Sequence, residues 1–191
     1  MGVSARSASI CARLTFSMTT PTGTTEHRAA GAARAAVQIA IVIVTDTRTI
    51  DTDESGPLAR RLIAEAGHTV SDFALLPNDE LRTRAHVVAL LSREDVDVVV
   101  LSGGTGLGSK DRTVEAVRPL IEKELPGFGE LFRMISYQEQ IGTAAILTRA
   151  LAGGVKGKLI VSLPGSKAAV DLALTKVLLP ELKHVLHELR R

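Results

Sequence analysis

The run from Leu101 to Asp111 (LSGGTGLGSKD) sets a glycine-rich turn after an apolar stretch, with a carboxylate just beyond it. Glycines reach φ > 0 without a Cβ penalty and let a ligand approach the main chain. The N–H groups of Gly103, Gly104, Thr105 and Gly106, behind Ser102, can therefore converge on an anion such as a phosphate. A purely structural tight turn is the plain alternative. Asp111 would repel a polyphosphate unless a cation came with it, and a shared Mg²⁺ turns that repulsion into a bridge. Lys110 and Arg112 flank Asp111 and offer positive charge, as a solvated surface would too.

Other residues join this turn if the chain folds them to the same place. Asp79 and Asp111 lie far apart in sequence, each at an expected strand-to-helix junction. Either alone serves as a helix N-cap, while the pair beside a phosphate loop suits Mg²⁺. Pro164, Gly165 and Ser166, followed by Lys167, form a second strand-to-helix turn that holds either an anion or a plain Ser cap. Ser55 and Gly56 carry the same ambiguity. Asp46, Asp51, Asp53 and Glu54 make the loop before them acidic, which suits a polar ring edge or a metal better than a bare phosphate. The glycine turn fails two familiar patterns: Lys110 does not follow Gly108 directly as a Walker motif requires, and Ser109 replaces the third glycine of the dinucleotide fingerprint. His184 and His187 share a helix face without a further ligand type and read as surface residues. No Gly-x-Ser-x-Gly elbow is present.

The elements that must position these groups are set by periodicity. Residues 37–44 (VQIAIVIV) form a nearly continuous β-branched run, the mark of a strand buried on both faces of a parallel sheet. Further strands are expected at 68–76, 96–101 and 158–163. A helix is expected from 57 to 66, capped by Ser55 or Gly56. Another, capped by Asn78 or Asp79, runs to about Arg93 with Leu81, Ala85, Val88 and Leu91 on its apolar face. Thr113 begins a helix to about Leu125, residues 126–129 break the chain, and helices come next at 130–137, 144–152, through Val177 and from 181 to 189. Alternation of strand and helix predicts a three-layer α/β/α fold with a central, mainly parallel sheet of Rossmann-like, doubly wound type. In that arrangement the loops after the strands gather on one edge, where ligands bind.

Length and composition fit one globular domain: 191 residues, 45% hydrophobic, 23% charged. Aromatics are only 3%, so aliphatic side chains must fill the core. The net charge of +2 comes from the first 36 residues, which hold four Arg and one Glu. The remainder is close to neutral and lacks the basic stripe and stacking aromatics of a nucleic-acid binder. Cys11 is the single cysteine, which excludes an intrachain disulfide and a thiolate cluster. No run approaches the ~18 apolar residues of a membrane span, and a cytoplasmic protein is the default. Residues 1–36 are expected to be a disordered extension or something like a transit peptide, and 37–191 the folded domain.

The set Ser102 to Gly106, Asp111, residues 126–130 (PGFGE) and residues 164–166 (PGS), in this order and spacing, resembles the MoaB/MogA family of molybdenum cofactor biosynthesis over about residues 37–190. Residues 127–136 (GFGELFRMIS) look closer to the MoaB branch. Around Asp111 the chain carries Lys110 and Val114 where the family's usual run has arginine and proline. The resemblance implies a molybdopterin-binding α/β fold, trimers or hexamers, and binding of molybdopterin with ATP. It also implies Mg-dependent adenylyl transfer to molybdopterin, with Asp79 and Asp111 as the functional, metal-holding pair. The alternative within the same fold is a non-catalytic binding or assembly protein that works with other proteins of the pathway.

Overall fold

The structure, a computed structural model, describes residues 36–191; the expectations for the N-terminal extension and Cys11 lie outside the described residues. Six strands form one sheet: β1 (Gln38–Val44), β2 (Thr69–Leu76), β3 (Val98–Ser102), β4 (Lys123–Glu124), β5 (Leu151–Val155) and β6 (Lys158–Leu163). Their spatial order is β2-β1-β3-β6-β5-β4. β2, β1, β3 and β6 run parallel, whereas β5 lies antiparallel to β6 and β4 antiparallel to β5. The chain leaves β1 to one side for β2 and returns past it to β3, so the connecting helices fall on opposite faces.

Those faces define two cores. Ile39, Ile41, Ile43, Val98 and Val100 pack under α1 (Ser55–Glu65), α4 (Pro126–Ser136), α5 (Lys167–Leu172) and α6 (Leu182–Leu189). Ala40, Val42, Val44, Val99 and Leu101 pack under α2 (Glu80–Leu91) and α3 (Thr113–Val117). Both side-chain sets of β1 are therefore out of water, each large aliphatic contributing about 1.5–3 kcal/mol by burial. The expected three-layer α/β/α architecture is the observed one.

The four parallel strands lie where periodicity predicts them; the other departures each have a local cause. Residues 144–152, expected to be a helix, instead make a 3₁₀ segment (Gly142–Leu147) and then enter β5. β5 pairs with β6 through Lys156 and Gly157, both at positive φ, the backbone of a two-residue hairpin turn. The helix from Thr113 ends after five residues because Pro119 tightens it into a 3₁₀ turn. Pro126 starts α4 rather than breaking the chain, and a π-helical turn, Tyr137–Ile141, extends it. On α2 the buried residues are Thr83, Val87 and Leu90, while Leu81 and Val88 face solvent, a face rotated from the expected one.

Candidate functional site

The loops leaving β1, β2, β3 and β6 meet around a cleft of about 510 Å³. Gly103, Gly104, Thr105, Gly106 and Asp111 form one wall, and Pro164, Gly165 and Ser166 an adjoining one. Asp46 and Arg48, from the loop after β1, and Asn78, after β2, stand at its rim. The opposite wall comes from α4 and the turns after it, including Phe132, Ser136, Gln140, Ile141 and Leu147. A second cleft, of about 550 Å³, lies among Glu122, Lys156 and Leu189 and shares none of these loops.

The glycine turn has the backbone its sequence suggests. Gly103 and Gly104 sit at φ 111° and 65°. A Cβ on Gly103 would lie 2.0 Å from the Val44 carbonyl oxygen, and one on Gly104 would lie 2.2 Å from Thr113 Oγ1. The Gly103 amide is engaged, donating to Leu163 O at 2.9 Å. The amides of Gly104, Thr105 and Gly106 donate to no group among the described residues, which leaves a row of donors for an anion. Ser102 does not join them: its hydroxyl donates to Pro164 O at 3.3 Å, tying the two turns together.

Arg149, absent from the sequence-based site, staples this loop from beneath. Its Nε donates to Gly106 O at 2.9 Å, its Nη2 to Asp111 O at 3.0 Å, and its own N–H to Thr105 O at 3.2 Å. The guanidinium is closed by an ion pair with Glu115, and that hydrogen bond holds the Glu115 carboxyl below its usual range. Arg149 thus engages the carbonyls of Thr105, Gly106 and Asp111 together. No local pattern around Arg149 marks this role, since the partners lie 34 to 44 residues away.

Asp111 lies at the cleft with Oδ2 accepting from Gly108 N at 2.9 Å; among the described residues nothing holds Oδ1. Asp79 has a different task. Its Oδ1 accepts from Arg82 N at 2.8 Å as the N-cap of α2, and it does not line the cleft. Asp79 is thus engaged at the start of α2, while Asp111 lines the cleft. Asn78 faces the cleft instead, and its N–H donates to Asp46 Oδ1 at 2.9 Å. That bond, with the Asn78 side chain and, last, the charge of Lys110, holds the Asp46 carboxyl below the ordinary carboxylate range against the opposing effect of desolvation.

The remaining predicted residues divide. Pro164, Gly165 and Ser166 line the cleft, although Ser166 Oγ is engaged as the cap of α5, accepting from Ala169 N at 3.2 Å. Ser55 and Gly56 do not line it. Ser55 is fully buried, with Oγ donating to Gly165 O at 2.9 Å, and the space beside Gly56 is filled by Asp53 and the Phe73 ring. Asp53, rather than Ser55 or Gly56, caps α1 by accepting from the amides of both. Lys110 and Lys167 are exposed and outside the lining. The cation at the cleft is Arg48, fixed by Gly165 O at 2.9 Å and Ser55 Oγ at 3.0 Å. A basic residue in an acidic loop gives no sequence signal for that placement.

Comparison with known proteins shows what the chain as a whole is similar to. Residues 40–184 match the family model described as "Probable molybdopterin binding domain". Molybdenum cofactor biosynthesis protein B of Bacillus anthracis is 50% identical over 155 residues, covering 81% of this chain and 92% of that protein. A crystal structure of a molybdenum cofactor biosynthesis protein B, 48% identical, superposes with a TM-score of 0.80 over 83% of this chain and 99% of that one. The tungsten cofactor synthesizing protein MoaB from Pyrococcus furiosus superposes with a TM-score of 0.74 at 32% identity, covering 83% and 100%.

Proposed function

The chain belongs to the MoaB/MogA family of molybdenum cofactor biosynthesis proteins, and from that membership we propose that it transfers the adenylyl group of ATP to molybdopterin, releasing pyrophosphate. In the reaction the terminal phosphate oxygen of molybdopterin bonds to the α-phosphorus of ATP. The bond from that phosphorus to the bridging oxygen of the β-phosphate breaks. A phosphate monoester, with a second pKa of about 6, is already largely a dianion at neutral pH and needs no general base. The work left to the protein is to hold two polyanions in line.

The observation that carries this reading is the cleft itself: three uncommitted amides at Gly104, Thr105 and Gly106, held by Arg149, beside the Asp111 carboxylate and the Arg48 cation. The apolar wall of Phe132, Ile141 and Leu147 suits the flat face of a fused heteroaromatic ring. The cleft's oxygen donors fit a hard cation. Among the described residues no group of three or more His, Cys, Asp or Glu could form a protein cage for a metal. Mg²⁺ binds through one or two carboxylates together with substrate phosphates, a set that Asp111 and the triphosphate would supply. Bound there through Asp111, it would neutralise charge on the triphosphate and on departing pyrophosphate.

Self-association is part of the proposal. Leu131, Met134, Tyr137, Ile141, Ile146 and Leu147 are exposed along α4 and the turns after it, Ile146 at 79%. An apolar row of that kind marks an interaction surface, and a trimer or hexamer would cover it with a second copy. Among the described residues no helix is long and apolar enough to cross a membrane.

A second reading has its own support. Asp79 is engaged as a helix cap, so one of the two aspartates expected to act is occupied elsewhere; this favours a protein that binds pterin or nucleotide without turnover. Incubation with molybdopterin, ATP and Mg²⁺, with assay of pyrophosphate and adenylylated product, separates the two. Product formation supports the transferase, and binding without product selects the alternative.

A further inference from the structure

We propose that Gln140 and Ser136 read the hydrogen-bonding edge of the ligand's ring, with Gln140 Oε1 accepting from an amino group and Ser136 Oγ bonding the atom beside it. The inference rests on the reading of the cleft as a nucleotide and pterin site and deepens it by naming what selects the ring. Phe132, Ser136 and Gln140 are spaced four apart along α4 and its π-helical extension, and all three line the cleft. Residues four apart share a helix face, so this row brings an aromatic ring and then two polar groups to the same wall. A π-helical turn joined to an α-helix is itself a feature that recurs at functional sites.

Two observations point to a ligand here. Ser136 is only 1% exposed, and its hydroxyl has no hydrogen-bond partner among the described residues. Buried polar atoms are ordinarily satisfied, and an orphan on a cleft wall marks a group that a bound species completes. Gln140 Nε2 donates to Ala168 O, in α5, at 3.0 Å. A carbonyl only accepts, so this bond fixes which end of the amide faces α5 and leaves Oε1 as an acceptor that no described residue fills. The same wall otherwise carries Ile141, Ala144 and Leu147 and no charged side chain. A phosphate or a carboxylate finds no cation there. The edge of a flat heterocycle, its faces against the apolar groups, supplies both an N–H for Gln140 and a partner for the hydroxyl. Two rings of the proposed reaction have that edge, the aminopyrimidine side of a pterin and the amino side of adenine.

The test is the affinity of the full chain, by titration calorimetry, for two matched pairs: pterin against lumazine, in which oxygen replaces the amino group, and ATP against ITP, which carries the same replacement on its purine. Wild type should bind the amine-bearing member of one pair about tenfold more tightly, the scale of one hydrogen bond, and the pair that shows the preference identifies the ring. Gln140→Ala should abolish that preference. Ser136→Ala should weaken binding of the same ring while melting at or above the wild-type temperature, because the hydroxyl it removes has no partner in the fold. Lys176→Gln cuts another tie on the π-helical turn, the ion pair with Glu139, and should keep the preference, which tells loss of the acceptor from a shifted wall. Equal affinities within both pairs, a preference that survives Gln140→Ala, or one that Lys176→Gln also removes, overturns the proposal. So does a Ser136→Ala chain that melts lower and binds the ring unchanged. Adenylyl transfer by a chain without the preference would remove this inference alone, a preference without transfer would remove only the catalytic reading, and a chain that binds none of the four ligands would remove both.

Discussion

Removing the Arg149 guanidinium frees the Gly106 and Asp111 carbonyls and strands Glu115 without its cation. Arg149→Ala should therefore lower nucleotide affinity through a loosened loop and cost about 1–3 kcal/mol of stability, since hydrogen bonds to a charged group are lost. Chemical denaturation and nucleotide titration measure the two effects separately. The pH dependence comes from Glu115, whose folded pKa lies below the usual 4.5. Its contribution is complete above that usual value and disappears as pH falls through the depressed folded value. The stability gap between wild type and Arg149→Ala should accordingly narrow in acid. At this scale the sequence told part of the story. The glycines at 103 and 104 advertise a tight turn because only they reach its positive φ without strain. Arg149 and Arg48 act through contacts made only after folding, and arginine is too common on surfaces to stand out. Asp79 was legible as a helix cap, and its choice between cap and ligand depended on which way the first turn of α2 faced.

At the scale of elements, hydrophobic period located the four parallel strands, most plainly β1 and β3, where burial on both faces confines polar residues to one end of each strand, Gln38 and Ser102. β5 was hidden for a physical reason. Gly153 and Gly154 look like strand breakers, yet a Cβ on either would lie 2.3 Å from Ile121 or 2.2 Å from Leu189; the strand is glycine-rich because its neighbours press onto it. The face of α2 was misread because apolar residues surround the helix, and packing under β1 and β3 selected Val87 and Leu90. One junction between elements yields a pH prediction. His68, between α1 and β2, is buried and accepts from Val37 N at 3.3 Å, tying it to the start of β1. Burial, with the charge of Lys183 behind it, lowers its pKa from 6.5. A lowered folded pKa favours the neutral ring, so this contribution is full above 6.5 and is lost as pH falls towards the folded value. His68→Gln, which cannot titrate, should lose less stability between neutral and mildly acid pH than wild type does, as thermal melts across that range will register.

For the whole molecule, the strand order carries the site. Because the chain reverses around β1, the exits of β1 and β3 diverge to opposite faces and leave the crevice in which the loops meet, as parallel α/β sheets do. One wall of that crevice, α4 with its π-helical extension, also carries the exposed row from Leu131 to Leu147. The proposed self-association surface and the cleft therefore share a segment, and placing a charge in the row tests that proposal directly. Ile146→Asp is expected to shift the chain towards monomer in sedimentation velocity without a large change in its circular dichroism; an unchanged oligomer would move the interface elsewhere. The parallel layers and the position of the glycine loop were foreseeable from order and spacing alone, whereas the composition of the opposite wall was not, because its residues reach the cleft only through the packing of α4 and the turns after it.

The central claim is that loop amides and the Asp111 carboxylate support adenylyl transfer, and release of pyrophosphate from ATP in the presence of molybdopterin and Mg²⁺ tests it most directly. Wild-type protein should release pyrophosphate in step with adenylylated molybdopterin. Asp111→Asn, with its fold intact, should be slower by about 10²-fold or more, the scale of losing a preorganised electrostatic group. Equal rates for the two proteins, or no pyrophosphate from wild type that demonstrably binds both substrates, would contradict it.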